Sequence, residues 1–358
     1  MSRDVVARVD TRAIAENFAL LQRRAANSRV LAVLKSDAYG HGIEAAAGAL
    51  SHAEAFGVAA QGEAQRLRDA GFIQPIVLFG GFDAPQDIAQ LAQMNVRPAL
   101  HHPAQIDMLQ AQRDTGLLHV WLKIDSGMNR LGFPPDELAH ALARLRALPN
   151  IAPDIVLMTH FAASDEPSSN SVAAQVATFR SATAGLGLPV SLANSCAVLD
   201  HPDTHGDWIR PGGALYGLTT KPNHRGADDG LRPAMKLSTR LIAVREKPAG
   251  ARIGYGGSYV CPDVMRVGVA AVGYGDGYPR HAAPGTPVMV EGVRCALIGR
   301  VSMDLITLDL SAAPQAKVGD EVVLWGEGLA VEDIAASAGT ISYELTCGLT
   351  RRVNYQYR

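Results

Sequence analysis

The sequence predicts an α/β fold in which an eight-stranded parallel barrel precedes a smaller, mostly β C-terminal domain. Three observations predict it. Short apolar runs alternate with longer helix-forming stretches, polar residues close most of those runs, and from about residue 231 the chain changes to short strands separated by Gly and Pro. Parallel α/β barrels collect polar side chains at the carboxyl ends of their strands. The 358 residues are enough for such a barrel and a second domain.

Eight runs have the length and apolar character of buried parallel strands. They are VLAVLKS, EAFGVA, PIVLFG, VRPALHH, HVWLKID, DIVLMTHF, PVSLANS and DWIRPG. Helical or turn segments follow them, among them IEAAAGAL, EAQRLRDA, PQDIAQLAQM and DELAHALARLRAL. An open doubly wound sheet is the competing topology, but no GxGxxG opens the first strand-to-helix turn. We therefore expect a TIM-type (β/α)8 barrel.

A second domain is indicated by the runs MKLSTRLIAVREK, RVGVAAVGYGDGY, TPVMVEGVRCALIGRV, MDLITLDL and DEVVLWG, which follow the polar connector TTKPNHRGADDG. We place the barrel domain at residues 1–228 and the C-terminal β domain at 229–358. The alternative for residues 1–10 is that they pair with the C-terminal β domain.

Composition excludes several classes of protein. A net charge of −2 with 47% hydrophobic and 19% charged residues is typical of a soluble globular chain and predicts no nucleic-acid partner. The N-terminus lacks the apolar segment of a signal peptide, and no run approaches the ~18 apolar residues of a membrane span. The four cysteines have no CxxC spacing, which argues against a zinc site and against disulfides. We expect a cytoplasmic protein without a metal.

Two lysines stand out because only six of the 33 basic residues are lysine. Lys35 and Lys123 both lie at the end of apolar strand-like runs, where a charged side chain is unusual unless it is paired or functional. A partly dry pocket disfavours the ammonium form, so Lys35 could present a free amine to a carbonyl carbon. Without further evidence, a lysine at a strand end more often packs its aliphatic chain against apolar residues while its ammonium group reaches water.

The motifs around Lys35 favour the catalytic interpretation over the structural one. The segments LAVLKSDAYGHG, WLKIDSGMNRLGF, MTHFAASDE, LANSCAVL, WIRPGGALYG and IGYGGSY, followed by GYGDGYPR and GRVSMDLI, resemble the alanine racemases along most of the chain. Those are barrel-fold enzymes that use pyridoxal 5'-phosphate (PLP). The last two segments lie in the second domain, which PLP carriers built from a lone barrel lack.

The resemblance implies a base on each face of the substrate. Lys35 would form the Schiff base with PLP and transfer one proton. Tyr255, in the second domain, would enter the barrel mouth of the other subunit as the second base. Racemisation removes a proton from one face of Cα and returns one to the other, so two bases must face each other. His160 is the candidate to contact Tyr255.

Further residues match the family's cofactor contacts. Arg210 matches the arginine that meets the pyridine nitrogen and cannot give it a full proton. Tyr39, Asn194, Ser195 and Gly212 match positions that bind the cofactor, several of them at its phosphate. Without the resemblance, Arg210 would be read as an ordinary strand-end salt bridge.

Two basic residues of one strand-and-loop segment match a linked pair. Arg130 matches the arginine that contacts the phenolic oxygen of the cofactor and lies near the substrate carboxylate. Lys123 matches a lysine that family members often carry as a carbamate, N6-carboxylysine, whose negative charge would hold Arg130. An unmodified lysine facing a carboxylate is the alternative.

The substrate entrance is implied by four more residues. Met303 and Asp304 match the pair that borders the substrate site, and Asp165 and Tyr274 match residues that narrow the entrance. One departure lies at Arg351, where many relatives have the tyrosine of Tyr-Arg-Val-Pro. This departure puts the phosphate contact of that tyrosine in doubt. A charge offered to the phosphate by Arg351 is the alternative, and a wider or differently shaped entrance could relax substrate choice.

The resemblance implies an isomerase that interconverts L- and D-alanine as a homodimer with shared active sites, either for peptidoglycan or for alanine breakdown. A racemase of broader or different specificity, for serine or lysine, is the nearest alternative. A PLP-dependent decarboxylase would need a general acid, often a cysteine, where the second domain has GYGGSY. A non-catalytic PLP carrier is disfavoured by the second domain.

Overall fold

The computed structural model describes residues 4–112, 115–166 and 168–358. The chain divides into two compact units. One comprises residues 15–215 and is called the barrel unit. The other comprises the described residues up to Ile14 together with Tyr216–Arg358 and is called the β unit.

The regular elements are numbered in chain order. The strands are β1 Val6–Val9, β2 Arg29–Val33, β3 Ala55–Val58, β4 Ile76–Leu78, β5 Val96–Leu100, β6 Trp121–Lys123, β7 Val156–Met158, β8 Val190–Ser191, β9 Trp208–Ile209, β10 Met235–Lys247, β11 Arg252–Ile253, β12 Tyr259–Val260, β13 Met265–Ala270, β14 Pro287–Val290, β15 Val293–Ile298, β16 Ile306–Asp309, β17 Glu321–Trp325 and β18 Asn354–Tyr357. The right-handed helices are α1 Thr11–Arg24, α2 Ile43–Ala49, α3 Gln61–Asp69, α4 Asp87–Gln93, α5 Pro103–Ala111, α6 Leu138–Arg146, α7 Ser171–Thr183, α8 Ser195–Asp200, α9 Val331–Ala338 and α10 Ser342–Cys347.

Strands β2 to β9 form a closed parallel barrel in chain order, which β2 and β9 close through Arg29 opposite Trp208 and Val30 opposite Ile209. Barrel strands are almost wholly apolar because their side chains face either the barrel interior or the surrounding helices. Val30, Ile209 and Leu122 are fully buried. The predicted eight-stranded α/β barrel is confirmed.

The outer helices are amphipathic, and α6 shows the pattern. Its buried residues Leu138, Ala141, Leu142 and Leu145 recur at helical spacing and form one apolar face. None of the helices in the described ranges combines the length and apolarity that crossing a membrane requires.

The β unit is built on an eight-stranded sheet in the order β13-β16-β15-β14-β17-β10-β1-β18, with β13 also pairing to β10. The long strand β10 pairs with β1 and β17 within this order and also with β13, and it has a β-bulge between Leu241 and Ala243. Strand β1 runs antiparallel to β10 and parallel to β18. The mostly β character predicted for the C-terminal domain is confirmed.

The connector after the barrel belongs to the β unit from Tyr216 onward, whereas the sequence suggests a division after residue 228. Backbone and side-chain contacts explain the difference. Thr219 N–H donates to Glu332 Oε1 at 3.1 Å, and Ser342 Oγ donates to Thr219 O at 2.6 Å. These bonds attach the connector to α9 and α10.

Candidate active site

Lys35 lies two residues beyond the end of β2, at the start of an unusual turn. Residues 36–39 have φ values between 53° and 57°, although none of them is glycine. The left-handed conformation costs an L-residue roughly 1–2 kcal/mol, so four in succession need compensating contacts. We call residues 36–39 the left-handed turn. It fixes the backbone between Lys35 and Tyr39.

Polar contacts hold the left-handed turn on two sides. Asp37 Oδ1 accepts the N–H of Ile43 at 3.0 Å and lies 2.9 Å from Arg66 Nη2. On the buried side, His41 Nδ1 lies 3.1 Å and 2.9 Å from two carbonyl oxygens of the turn. The turn is therefore tied both to the surface and to the interior of the barrel unit.

Four further basic side chains lie at the carboxyl ends of barrel strands. Lys123 ends β6, Arg130 lies in the loop after it, His160 follows β7 and Arg210 follows β9 directly. Lys123 and Arg210 are buried. Because the strands are parallel, these groups lie at the same end of the barrel as Lys35.

Burial lowers the pKa values of Lys123, His160 and Arg210, and for Lys123 and His160 the neighbouring positive charges lower them further. The pKa of Lys123 falls from 10.5 to about 8, through burial first and then through the charges of Arg130 and Arg210. Burial lowers the pKa of Arg210 to about 10, so the guanidinium stays charged at neutral pH. The pKa of His160 falls well below 6.5, through burial first and then through Arg210, so its imidazole is neutral.

Three of these basic side chains have no carboxylate partner among the described residues. Within the described part of the chain, Lys123, Arg130 and Arg210 form no ion pair with a carboxylate at 4.0 Å or less. Asp125 raises the pKa of Lys123 only as a lesser influence. Buried charges are normally paired, so Lys123 and Arg210, which are buried without a carboxylate partner among the described residues, indicate a site for an anionic ligand.

Neutral oxygens orient Arg210. Its Nη1 donates to Ser191 Oγ at 2.8 Å, and its Nη2 donates to Thr159 O at 2.6 Å and to Leu192 O at 3.2 Å. Three of the five guanidinium N–H donors are thus used without neutralising the charge. The remaining donors and the full positive charge are available to a ligand.

A small polar cradle lies between the left-handed turn and the end of β9. Gly212 N–H donates to Ser195 Oγ at 2.8 Å. A Cβ on Gly212 would lie 2.3 Å from Tyr39 Oη, so the phenol rests against the glycine backbone. Asn194 caps α8 by accepting the N–H of Ala197 at 3.2 Å and so fixes the start of that helix. Two hydroxyls beside a glycine backbone suit an oxyanion such as a phosphate.

In the β unit, Tyr255 is presented on a turn between β11 and β12. Its side chain is 69% exposed, although tyrosine normally buries much of its ring. Gly254, Gly256 and Gly257 have φ values of 72°, 71° and 55°, which permit this tight projection. The phenol is therefore available to a ligand or to another surface.

Two loops of the β unit bring Tyr274, Met303 and Asp304 together. Tyr274 N–H donates to Ser302 O at 3.1 Å, which joins the loops through their backbones. Arg352 links their side chains, since its Nη2 donates to Asp304 Oδ1 at 2.5 Å and its Nε lies 3.3 Å from Asp276 Oδ1. The carboxylate of Asp304 is thus held by an arginine of its own unit, while Met303 is 53% exposed.

Comparison with family models gives two matches that together span nearly the whole chain. The alanine racemase N-terminal domain matches residues 9–220, and the alanine racemase C-terminal domain matches residues 234–357. The chain belongs to the alanine racemase family. The resemblance stated from the motifs is confirmed, and so is the prediction of an enzyme of this isomerase family.

Curated alanine racemases align with this chain from end to end. Those of Nitrosospira multiformis and Nitrosococcus oceani are 46% and 48% identical, covering 99% and 96% of this chain and 99% and 97% of the relatives. The crystal structure of the biosynthetic alanine racemase from Pseudomonas aeruginosa superposes with a TM-score of 0.97 at 41% identity, with full coverage of both chains. Family and fold are therefore shown independently.

Each predicted alanine racemase site residue lies in one of the two units. The barrel unit contains Lys35, Tyr39, Lys123, Arg130, His160, Asp165, Asn194, Ser195, Arg210 and Gly212, and the β unit contains Tyr255, Tyr274, Met303 and Asp304. In the barrel unit the basic residues share one end, and Tyr39, Ser195 and Gly212 meet in the cradle. Their roles toward a cofactor or substrate stay predictions.

Two residues of the site surroundings receive no role from the sequence: Ser191 and Arg352. For His41, which lies between two glycines, the sequence fits a place near the cofactor and a polar turn residue equally well. No local sequence pattern indicates a role for Ser191 or Arg352, because their hydrogen-bond partners Arg210 and Asp304 are distant in sequence.

Proposed function

We propose that this chain is a PLP-dependent alanine racemase that interconverts L- and D-alanine by a two-base mechanism. The observation that carries the proposal is the group of buried cations at the carboxyl end of the barrel, next to the cradle of Tyr39, Ser195 and Gly212. It is the charge complement of a dianionic phosphate joined to an aromatic ring and of an amino acid carboxylate.

The donor set fits PLP group by group. Tyr39, Ser195 and Gly212 would hold the phosphate, with Asn194 fixing the start of α8. Lys35 would attach the cofactor covalently through Nζ. When bound, PLP supplies the electron sink that lets the Cα proton leave.

Arg210 would hold the ring nitrogen through its uncommitted N–H donors. A guanidinium is a strong donor that keeps its proton, so it would weaken the electron sink compared with an acid at that position. The electron pair would then stay largely at Cα. That favours return of a proton to Cα over side reactions such as transamination.

The two bases would be Lys35 and Tyr255. Lys35 Nζ would move the proton on one face of Cα, and Tyr255 Oη would move it on the other. The exposure of Tyr255 on its glycine turn supports a role against another surface, and we propose a homodimer in which each barrel receives Tyr255 of the second copy. His160, neutral and close to Arg210, would orient that phenol by a hydrogen bond.

The substrate carboxylate would be bound by Arg130 and by the backbone N–H of Met303. Asp304 is bound to Arg352, so its contribution would be to hold the Met303 loop rather than to contact an anionic group. Asp165 and Tyr274 would narrow the entrance, favouring a side chain as small as methyl.

Lys123 would carry a carbamate. Carbon dioxide adds to a neutral amine to form the N–C bond of the carbamate, and the nitrogen releases one proton to water. The lowered pKa of about 8 makes the neutral amine accessible near neutral pH. The product would be an anion among the cations, able to fix Arg130 and relieve repulsion. We further propose a cytoplasmic location, which the scattered spacing of the four cysteines supports, and a role in supplying D-alanine for peptidoglycan or in alanine breakdown.

The test is chromatographic separation of enantiomers after incubating purified protein and PLP with L-alanine, and in parallel with L-serine and L-lysine. Conversion of L-alanine to an equal mixture, faster than the other two substrates, is expected. Release of carbon dioxide and an amine would indicate a decarboxylase instead. PLP binding without any turnover would indicate a carrier, and either result would overturn the proposal.

A further inference from the structure

The left-handed turn joins two groups that the proposed function assigns to opposite ends of one cofactor. Lys35 precedes it, and Tyr39 is its last residue. The spacing of Lys35 Nζ and Tyr39 Oη therefore depends on the backbone of residues 36–39. A right-handed turn is less strained for these four L-residues, so the observed conformation persists only because its surroundings enforce it.

His41 makes the buried contacts to this turn. Its side chain is fully buried, and Nδ1 lies 3.1 Å from Ala38 O and 2.9 Å from Tyr39 O. Both partners are carbonyl oxygens, which can only accept, so Nδ1 must carry a proton. Gly40 and Gly42, with φ values of 79° and 86°, let the chain fold back so that the ring reaches these oxygens.

The alternative support for the turn is weaker. The Asp37–Arg66 pair lies on the surface, with side-chain exposures of 46% and 45%, and exposed ion pairs contribute little because water competes for both charges. Hydrogen bonds shielded from water are stronger than exposed ones. The backbone N–H of His41 also donates to Ala38 O at 3.0 Å, so the ring nitrogen adds a second donor there and contributes its own bond to Tyr39 O at 2.9 Å. His41 is therefore the fully buried side chain that supports the left-handed turn, beside the part-buried bond from Ile43 N–H to Asp37 Oδ1 at 3.0 Å.

We propose that His41 is a positioning residue for the Lys35–Tyr39 pair. By donating from Nδ1 to Ala38 O and Tyr39 O, it keeps residues 36–39 left-handed and so sets both cofactor-binding groups at matched positions. His41 does not touch the reacting atoms. The inference rests on the proposed function, because Lys35 and Tyr39 bind the same ligand only if that ligand is PLP.

The test compares three variants of the full-length protein. His41→Phe retains a ring but has no donor. His41→Asn retains a donor at the same δ position, because Asn Nδ2 and His Nδ1 are both bonded to Cγ. His119→Phe is the matched control, since it removes a ring hydrogen bond to Asp154 at the amino end of β6, away from the turn.

Two quantities are measured on the apoprotein: the dissociation constant for PLP, by fluorescence titration, and amide hydrogen exchange of residues 36–43, by mass spectrometry. For His41→Phe we expect PLP affinity to fall about tenfold, the equivalent of one or two lost hydrogen bonds, and exchange in this segment to accelerate. His41→Asn is expected to stay within about threefold of the unmodified protein. His119→Phe should change neither quantity.

The proposal is overturned if His41→Phe binds PLP as the unmodified protein does, or if His119→Phe loses the same affinity. Should His41→Phe fail to fold, His41→Asn decides: a folded variant with weak PLP binding and fast exchange contradicts the role of the donor. Failure of the unmodified protein to bind PLP at all would instead remove the proposed function.

Discussion

The barrel unit and the β unit present their site residues in opposite ways. In the barrel unit Lys123 and Arg210 are buried at strand ends, and Arg210 is oriented by three hydrogen bonds to neutral oxygens. In the β unit Tyr255 and Met303 lie on loops and are 69% and 53% exposed. Among the described residues, Lys123 and Arg210 form no ion pair with a carboxylate, whereas Tyr255 and Met303 leave much of their surface exposed. In our proposal a ligand supplies the anion for the first pair, and a second copy of the chain covers the second pair.

Because of this difference, substitutions in the two units should have different effects. Changes in the barrel unit alter buried polar groups, so they should affect cofactor retention and stability together. Changes at exposed loop residues of the β unit should leave folding and cofactor binding intact and affect turnover alone. The predictions below test that separation.

The largest effect is expected for Lys35→Ala. Loss of both the attachment point and one base should reduce racemisation by at least about a thousandfold. Borohydride treatment followed by peptide mass spectrometry should find a pyridoxyl group on Lys35 in the unmodified protein and on no lysine in the variant. Lys317→Ala, at an exposed lysine, is the control. A reduced adduct on another lysine of the variant contradicts the assignment.

Tyr255→Phe should come next. Removing one hydroxyl should lower turnover roughly a hundredfold to ten-thousandfold, while PLP affinity and melting temperature stay unchanged. Exchange of the Cα proton with deuterated water should be lost mainly for one enantiomer. Tyr357→Phe, at another exposed tyrosine of the β unit, serves as control. Equal loss for both enantiomers would count against two bases.

Gly212→Ala should weaken PLP binding by about tenfold or more, because the added Cβ would lie 2.3 Å from Tyr39 Oη and must displace the phenol from the cradle. Gly48→Ala is the matched control, since a Cβ there has no neighbour within 4 Å. The measurement is equilibrium dialysis of PLP. Equal affinities of the two variants would exclude the cradle as the phosphate site.

Acid should destabilise the barrel unit through its buried histidines. Burial lowers the pKa of His41 from 6.5 to about 4, and it also lowers the pKa values of His101 and His160. Below pH 6.5 the unfolded chain binds more protons than the native one, so stability falls as pH decreases toward 4. For His41 alone the loss is about 3 kcal/mol.

The measurement for this effect is urea unfolding of the unmodified protein and His41→Asn at pH 7 and at pH 4.5. The variant should lose less free energy of unfolding on acidification, because it has one titrating group fewer. The same loss in both proteins would show that His41 is not buried as a neutral group.

The smallest effect is expected for Arg352→Met. It breaks the link between Asp276 and Asp304. Arg352 and Asp304 are largely exposed, and the buried carboxylate of Asp276 keeps the N–H of Gly273 as a donor at 2.9 Å, so we expect KM for alanine to rise roughly twofold to fivefold with little change in kcat. Arg245→Met, at an exposed arginine of β10, is the control. A fall in kcat without a change in KM would refute the loop-holding role.

Much of this fold follows from local sequence. The apolar runs that form β2 to β9 are short, continuous and followed by helices, and burial on both faces of a parallel barrel leaves that pattern. For the same reason the sequence alone places Lys35, Lys123 and Arg210 at one end of the barrel, since each closes an apolar run. The Gly-rich segments around Tyr255 likewise indicate a turn.

Other features depend on contacts that no local pattern records. Residues 36–39 are ordinary L-residues, and their left-handed conformation is stabilised by His41 and Asp37 through folding back of the chain. Arg352 meets Asp304 across 48 positions of sequence. The carboxylate of Asp304 is consequently engaged within its own unit, which the motif around it does not reveal.

The most direct test of the account is complementation between inactive chains. Differently tagged Lys35→Ala and Tyr255→Phe chains are refolded together, and hybrids carrying both tags are isolated. In a dimer with shared sites, each hybrid has one site with both bases intact, so random pairing should restore about a quarter of the unmodified activity to the mixture. Hybrids that are isolated with both tags but remain as inactive as their parents would contradict a site completed by Tyr255 of a second copy.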